Sequence, residues 1–451
     1  MSIALLILAA GKGTRMNSDL PKVLHPIAQA PMLAHALRAG GALEPELRLV
    51  VAGHGAEEVG AALAEIDPEA QIVLQEEQKG TGHAVAVARE ALNGFAGDVI
   101  VLYGDTPFVR PETLERMIAA RADHDIVVLG FEAADPGRYG RLVADGDTLD
   151  RIVEFRDASA AEREITLCNS GLMAAKASVL LDLVDRLGND NAAQEYYLTD
   201  AVALARSEGL SAGVVRCDEA ETLGVDSRAA LARADAIFQN RARAEHLENG
   251  VTLMIPESIY FAFDTVIGRD TVIEPHVVFG PGVTVESEAT IRAFSHLEGC
   301  HVSRGGVVGP YARLRPGTEL AEDVRVGNFV EIKNATLDAG AKVNHLSYIG
   351  DASVGQATNI GAGTITCNYD GVMKHHTEIG ANAFIGSNTM LVAPVRVGNG
   401  AMTASGSVIT KSVDDDALAL ARADQVNKPG AARKLFDLLK IKKKRRAERA
   451  S

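Results

Sequence analysis

The sequence predicts an α/β chain in two halves, an open and mostly parallel sheet flanked by helices, followed by a parallel β-helix. Three observations carry this. Up to about residue 225, short runs rich in Val, Ile and Leu alternate with helical stretches, the pattern of βαβ units. From Ile267 to Ile409, bulky apolar residues return every six positions. Neither a helix nor a half-buried strand has that period. A hexapeptide beat instead belongs to stacked coils around one continuous core. Between the halves, a charged, Ala-rich stretch from Ser227 to Glu248 reads as one long helix, with Asn249-Gly250 as its stop.

In chain order, LLILAA, LRLVVAG, QIVLQ, DVIVLYGD and DIVVLGFEA are the expected strands. Ala56–Glu65, Gly82–Leu92 and Pro111–Ala122 are the expected helices between them. RYGRLVADGDTLDRIVEF has the alternation of a hairpin, with Asp145-Gly146-Asp147 as its turn. The ladder of the second half runs Ile267, Ile273, Phe279, Val285, Ile291, Leu297, then Val302, Val308, Leu314, Leu320, Val326, Ile332. It continues through Leu337, Val343 and Ile349, then Val354 and Ile360, and resumes at Ile379, Ile385, Leu391, Val397, Thr403 and Ile409. It slips by one residue after Leu297, Ile332 and Ile349, and is lost between Thr366 and Ile379. The slips disturb little. The long break, TCNYDGVMKHHT, reads as a loop ejected from the coil, and such loops often form binding faces.

Composition narrows the function classes. The apolar fraction of 47% with 23% charged residues is that of a soluble globular protein. The longest apolar run, Ile3 to Ala10, falls far short of the ~20 residues that span a bilayer. Four scattered cysteines, Cys168, Cys217, Cys300 and Cys367, show no CxxC spacing, so neither disulfides nor a zinc site is expected and a cytoplasmic setting fits. The net charge of −15 hides a basic end, because residues 440–449 carry seven Lys/Arg against Glu448 alone. A body this acidic, with no Trp, is a poor nucleic-acid binder. The basic run reads as a solvated helix end, and no stable membrane association is expected.

Two clusters in the first half suggest chemistry. LAAGKGTRM follows the first strand directly, where ligands bind beyond strand carboxyl ends and a Gly-rich turn admits phosphates. Gly11 and Gly13 alone make only a tight turn, but Lys12, Arg15 and Lys22 add three cations nearby, a density suited to a triphosphate. Tyr103-Gly104-Asp105 ends the fourth strand. Asp105 is either a cap for the helix that PETLE starts or a Mg²⁺ ligand.

In the second half, RLRPG supplies Arg313 and Arg315, EIKNA supplies Lys333, and NHLSYIGD supplies His345 and Tyr348. NIGAGTITCNYDG supplies Asn359, Asn368 and Tyr369, with Lys374 soon after. Polar residues at coil corners often simply face water, and His345 alone could be a solvated histidine. Spacing says more. Arg315 and Lys333 are 18 residues apart, one turn of three hexapeptides, so they should stack on neighbouring coils, with His345 and Tyr348 on the next.

LAAGKGTRM…PKVLHPIAQAPML, with QKGTGHA, YGDTP, RYGR, IVEF, NSG and LTD, resembles the sugar-1-phosphate nucleotidyltransferases. With the coils behind it, essentially the whole chain resembles the bacterial bifunctional N-acetylglucosamine-1-phosphate uridylyltransferase/glucosamine-1-phosphate acetyltransferases. The resemblance implies a Rossmann-like nucleotidyltransferase domain over 1–226, a linker helix over 227–249, and a left-handed β-helix acetyltransferase domain over 250–451 with a terminal helix and basic tail. It implies that the Leu8, Ala9, Ala10 and Gly11 main chain, with Gln75, Gly80 and Thr81, holds the uracil and ribose of UTP. Tyr103 and Gly104 adjoin that site, and Arg15 and Lys22 act on the triphosphate and sugar phosphate. Gly140, Glu154 and Asn169 would hold the N-acetylglucosamine of N-acetylglucosamine-1-phosphate. Asp105 would be one Mg²⁺ ligand. Where the family carries Asn in a Gly-Val-Asn motif, this chain has Asp226, a charged carboxylate that can still coordinate.

For the second half, the resemblance implies that His345 is the general base for the amine of glucosamine-1-phosphate. Arg315 and Lys333 would bind its phosphate, and Tyr348, Asn359 and Lys374 its sugar. Asn368, Tyr369, Ser387, Ser405 and Arg422 would line the acetyl-CoA site, Ser387 aiding the oxyanion. The family assembles as a homotrimer whose acetyl site draws on neighbouring subunits. Two other readings stay open from the residues alone. One is a single-activity nucleotidyltransferase with a β-helix that only oligomerises. The other is a hexapeptide scaffold that binds nucleotide without turnover.

Overall fold

The computed structural model describes residues 2–191 and 194–449. The chain forms two compact units. One reaches to Glu248 and includes Tyr260–Thr265, while the other contains Asn249–Ile259 and the chain from Val266 onward.

In the first unit, nine strands among the described residues make one sheet. Its order is Gln71–Leu74, Leu47–Ala52, Ile3–Leu8, Asp98–Tyr103, Leu167–Lys176, Ile126–Glu132, Ala212–Cys217, and then the hairpin Thr148–Val153 and Arg141–Asp145. Ile3–Leu8 is buried throughout, as expected of a central parallel strand covered on both faces. Ala4, Leu6 and Leu8 pack into one apolar layer, and Ile3, Leu5 and Ile7 into the other. The chain leaves this strand first to one side and then to the other, which opens a crevice at its carboxyl end. Leu8 lies in register with both Val51 and Tyr103, so three strand ends share that edge.

Leu167–Lys176 is a strand that the sequence reading does not contain. It runs antiparallel between Asp98–Tyr103 and Ile126–Glu132, with its register broken between Asn169 and Met173. The run LCNSGLMAAK gives no apolar alternation, and Gly171 adopts φ +91° where a Cβ would stand 2.7 Å from the Tyr103 ring. A glycine inside a strand marks such a bulge or close approach.

In the second unit, strands of two to seven residues stack in parallel. It is a left-handed parallel β-helix of hexapeptide repeats. Every ladder residue from Ile267 to Ile409 points inward and is at most 8% exposed. The one-residue slips shorten single coils. Leu297 pairs with Leu314 and Ile332 with Ile349, seventeen residues on, while inward residues still meet. At the break, Thr366 keeps its inward place between Tyr348's strand and Leu391. Ile360 pairs with Ile385, 25 residues on, and the surplus is a small hairpin closed by the Tyr369–Lys374 bridge. All four cysteines are free thiols.

Leu314 is fully buried among the coils. Leu314→Ala is therefore expected to cost ~2–5 kcal/mol of unfolding free energy. Val266→Ala on an outward position should stay within ~0.5 kcal/mol. Denaturant melts followed by circular dichroism would read both, and equal costs would show that the ladder is not the core.

Candidate active sites

In the first unit, a cavity of about 920 Å³ opens at the carboxyl edge of the sheet. Thr81, Tyr103, Asp105, Gly140, Glu154, Asn169 and Asp226 all line it. Asp105 does not cap a helix, because the next one starts at Pro111 with Arg110 before it. Instead, Asp105 Oδ2 accepts from Lys22 Nζ, and both side chains are largely shielded. Gly13, at φ +59°, rests on the stem of Lys22, where a Cβ would come within 2.6 Å of the lysine Cβ. The glycine-rich turn thus lets Lys22 reach Asp105. Val225 N–H donates to the Asp105 carbonyl at 3.0 Å, which brings Asp226 to the same cavity. Arg15 Nη1 pairs with Asp226 Oδ2 at 2.6 Å. Lys12 is exposed and does not line the cavity.

The remaining expected residues sit on the same edge. Ala9 N–H donates to Val51 O at 2.8 Å and Gly104 N–H to Leu8 O at 3.0 Å, so the Leu8–Gly11 turn starts beside Gly104. Gln75 N–H donates to Ala52 O at 2.8 Å, one strand further along. The buried Gln75 side chain bonds His83 Nδ1 at 2.9 Å and Gly80 O at 3.3 Å. Thr81 Oγ1 accepts from Leu198 N–H at 3.0 Å. Asn169 N–H donates to Gly140 O at 2.9 Å, and its Oδ1 accepts from Gly171 N–H at 3.0 Å.

Burial holds the Glu154 carboxyl above the usual carboxylate range, although the Thr199 hydroxyl donates to its Oε1 at 3.3 Å. Burial, with Asp105 beside it, likewise raises the Tyr103 phenol. Arg138, Tyr139, Arg156, Tyr197 and Thr199 also line the cavity, and the sequence reading did not assign them. Their only signal was membership of the RYGR and LTD motifs or a place next to LTD or IVEF.

In the second unit, Arg315 N–H donates to Ile332 O at 2.9 Å, so Arg315 and Lys333 stack on neighbouring coils as the spacing predicts. Arg315 Nη1 pairs with Glu331 Oε1 at 2.9 Å, and Tyr348 stacks over Glu331 one coil on. Lys333 lies within hydrogen-bond reach of Lys374, and that contact holds its amine below the usual lysine value. Two adjoining ammonium groups form a place for an anion. His345 stacks over Asn328, and its Nδ1 lies 3.0 Å from Asn328 Oδ1. An amide oxygen only accepts, so Nδ1 carries the proton in the neutral ring and Nε2 keeps its lone pair. Asn359 lies in register with Lys342, on the coil after the one that holds His345.

The hairpin residues separate. Asn368 is buried, and its amide donates to Asp351 Oδ2. Tyr369 is exposed, its hydroxyl donating to Gly371 O at 2.6 Å. Asp351 is the group that the sequence reading missed. Burial works to raise its carboxyl, yet the amides of Asn334 and Asn368 hold it below the usual range. Asn334 Nδ2 donates to Oδ1 at 2.6 Å. Asp351 thereby ties the root of the hairpin to the coil beneath. Ser387 and Ser405 are exposed at corners one coil apart, and Arg422 Nη1 donates to Ser405 O at 2.6 Å.

Asp351→Ala would leave the buried Asn368 amide without its carboxylate partner, at ~1–3 kcal/mol. Tryptic cleavage at Lys374 should then speed severalfold in the folded protein. An unchanged cleavage rate would separate Asp351 from hairpin anchoring.

Residues 5–168 match the MobA-like NTP transferase domain, and residues 264–299 and 376–411 match the bacterial transferase hexapeptide (six repeats) model. The chain is 73% identical to the bifunctional protein GlmU of Ruegeria sp. (strain TM1040) across 99% of this chain and 100% of the relative. It is 71% identical to the protein of the same name from Ruegeria pomeroyi across 98% of each. With that of Jannaschia sp. (strain CCS1) it shares 64% across 97% of this chain and 96% of the relative.

Proposed function

This chain belongs to the GlmU family of bifunctional enzymes, and from that premise we propose that its two units divide the two reactions between the sites described above. It is a transferase that N-acetylates glucosamine-1-phosphate with acetyl-CoA and transfers a uridylyl group from UTP to N-acetylglucosamine-1-phosphate, releasing pyrophosphate. Uridylyl transfer is assigned to the first unit. A phosphate oxygen of the sugar phosphate attacks the α-phosphorus in line, and pyrophosphate leaves from the opposite side. Such transfers need positioning and charge neutralisation rather than a protein nucleophile. Arg15 and Lys22 exchange their carboxylate partners for phosphate oxygens as the substrates enter. Gly140, Glu154 and Asn169 hold the sugar, and Leu8–Gly11, Gln75, Gly80 and Thr81 the nucleoside.

The carboxylates of Asp105 and Asp226 face one cavity, and each is balanced by a single cation. That donor set suits Mg²⁺, which takes one or two carboxylates together with substrate phosphates. Among the described residues no group of three or more His, Cys, Asp or Glu forms a metal cage, which fits a cation shared with substrate. Mg²⁺ bound there would neutralise charge on the phosphates.

Acetyl transfer is assigned to the second unit, and the observation that carries this is the His345–Asn328 contact, which leaves Nε2 as the base. His345 Nε2 accepts a proton from the glucosamine amine while the nitrogen attacks the thioester carbonyl, and CoA leaves as the thiolate. Arg315, Lys333 and Lys374 bind the sugar phosphate, with Tyr348 and Asn359 at the sugar. Asn368, Tyr369, Ser387, Ser405 and Arg422 form the acetyl-CoA side, Asn368 acting from its seat on Asp351.

A homotrimer that completes this site fits an exposed column of Phe294, Tyr311, Phe329 and Leu346. Its three rings stack at 4.9 and 5.3 Å, and Leu346 directly follows His345. Exposed apolar columns of this kind mark interfaces. No helix among the described residues is long and apolar enough to cross a membrane. A cytoplasmic setting agrees with that and with the free thiols.

Asp105→Ala is expected to lower uridylyl transfer by at least ~10²-fold. Pyrophosphate release would measure this, and CoA release should stay near wild type. Equal loss of both would sink the two-site assignment. His345→Ala should lower CoA release by ~10²–10⁴-fold with pyrophosphate release intact. Retained acetylation would remove His345 from the role of base.

A further inference from the structure

The helix Ala431–Glu448 ends the described chain, and none of its side chains is buried. Leu435, Phe436, Leu438 and Leu439 are 58%, 64%, 58% and 51% exposed. At 100° per residue, these four with Ala431 and Ala432 fill one face roughly 160° wide. Arg433, Lys434, Asp437 and Lys440 take the opposite side, where Ile441, 50% exposed, is the one large apolar residue. Beyond Ile441 the helix is basic all round, with Lys442, Lys443, Lys444, Arg445, Arg446 and Arg449 against Glu448. The basic run alone reads as a solvated helix end. An apolar face leading into a polybasic segment is a different object, the pattern of helices that lie in an anionic interface.

We infer that this helix docks the enzyme reversibly on the surface of an anionic lipid bilayer. Its apolar face enters the boundary between headgroups and acyl chains, and its basic end neutralises lipid phosphates. Two other occupants fit less well. Along the helix, the apolar stripe Leu435–Leu439 continues into Lys442 and Arg446, so parallel pairing with the same helix of a second copy would set like charges together. A nucleic acid would satisfy the basic residues but offers no hydrocarbon to four exposed large apolar side chains. The acidic body need not touch the surface. Residues 423–429 are exposed and without regular structure, and when extended they span roughly 23 Å. That exceeds the ~8 Å screening length at physiological ionic strength.

The test is co-flotation of the full-length enzyme with vesicles of phosphatidylglycerol and phosphatidylcholine, compared with phosphatidylcholine alone. Binding should be at least about tenfold stronger on the anionic vesicles and fall steeply between 50 and 500 mM salt, each basic residue at the surface adding attraction. The triple variant Leu435→Asp, Phe436→Asp, Leu439→Asp should lose that binding at least about tenfold while both enzymatic activities remain, which controls for folding. Replacing Lys442 to Lys444 by Glu should do the same. The proposal is overturned if the wild type does not float with anionic vesicles, or if the triple variant floats equally well. It is also overturned if the triple variant changes the mass of the assembly by light scattering, which would make the face a contact between copies. Tighter binding to a duplex oligonucleotide than to vesicles at equal salt, with no loss in the triple variant, would overturn it as well.

Discussion

Parallel main-chain pairing in fixed register is the constraint on which both units rest. In the first, Leu8 pairs with Val51 and Tyr103, so the glycine-rich turn, Gln75 and Asp105 emerge along one edge. In the second, a ladder that repeats every seventeen or eighteen residues buries the same inward position on each coil. The outward neighbours of those buried residues then stack as well, which sets Lys333 over Arg315 and His345 over Asn328. A slip of one residue in a strand turns its side chains to the other face. Core and site therefore cannot be specified separately.

The proposed binding groups are already held by protein partners, and the holds differ in strength. Arg15 is 75% exposed in its pair with Asp226, and such surface pairs contribute only ~0–1 kcal/mol, so the arginine can leave for a phosphate. Lys22 and Asp105 are more shielded and start from a fixed geometry. Asn368 and Asn334 on Asp351 make the tightest of these arrangements, because a buried carboxylate without donors is costly. Lys333 and Lys374 are the exception. Two cations are kept together there, a repulsion that the proposed sugar phosphate would relieve.

The position where this chain departs from the family motif is informative. Asp226 stands where the resemblance implies Asn, and it is paired with Arg15 rather than left as a second bare charge beside Asp105. A neutral amide would not draw the guanidinium so strongly. The pairing couples Arg15, the proposed phosphate ligand, to a metal-site candidate, a link that an asparagine would weaken.

By itself the sequence determined what depends on periodicity and local chemistry. Six-residue spacing marks the inward residues of the coils because each flat side of a stacked prism returns to the core at nearly that period, and apolar runs mark the buried parallel strands. It also showed the glycines and cations of the first turn, and the polar residues of the corners. Only tertiary structure decided which of those groups meet. Leu167–Lys176 was illegible because Asn169, Ser170 and Gly171 break its pattern, and they do so because a bulge there presents Asn169 to the cavity. Asp351 carries no signal in the sequence, and its role exists only once the hairpin folds Asn368 onto it. The basic run is exposed, as a solvated helix end should be, but only the folded helix shows five large apolar side chains uncovered beside it. Periodicity is a property of the chain, whereas partnership between distant groups exists only once the chain has closed on itself.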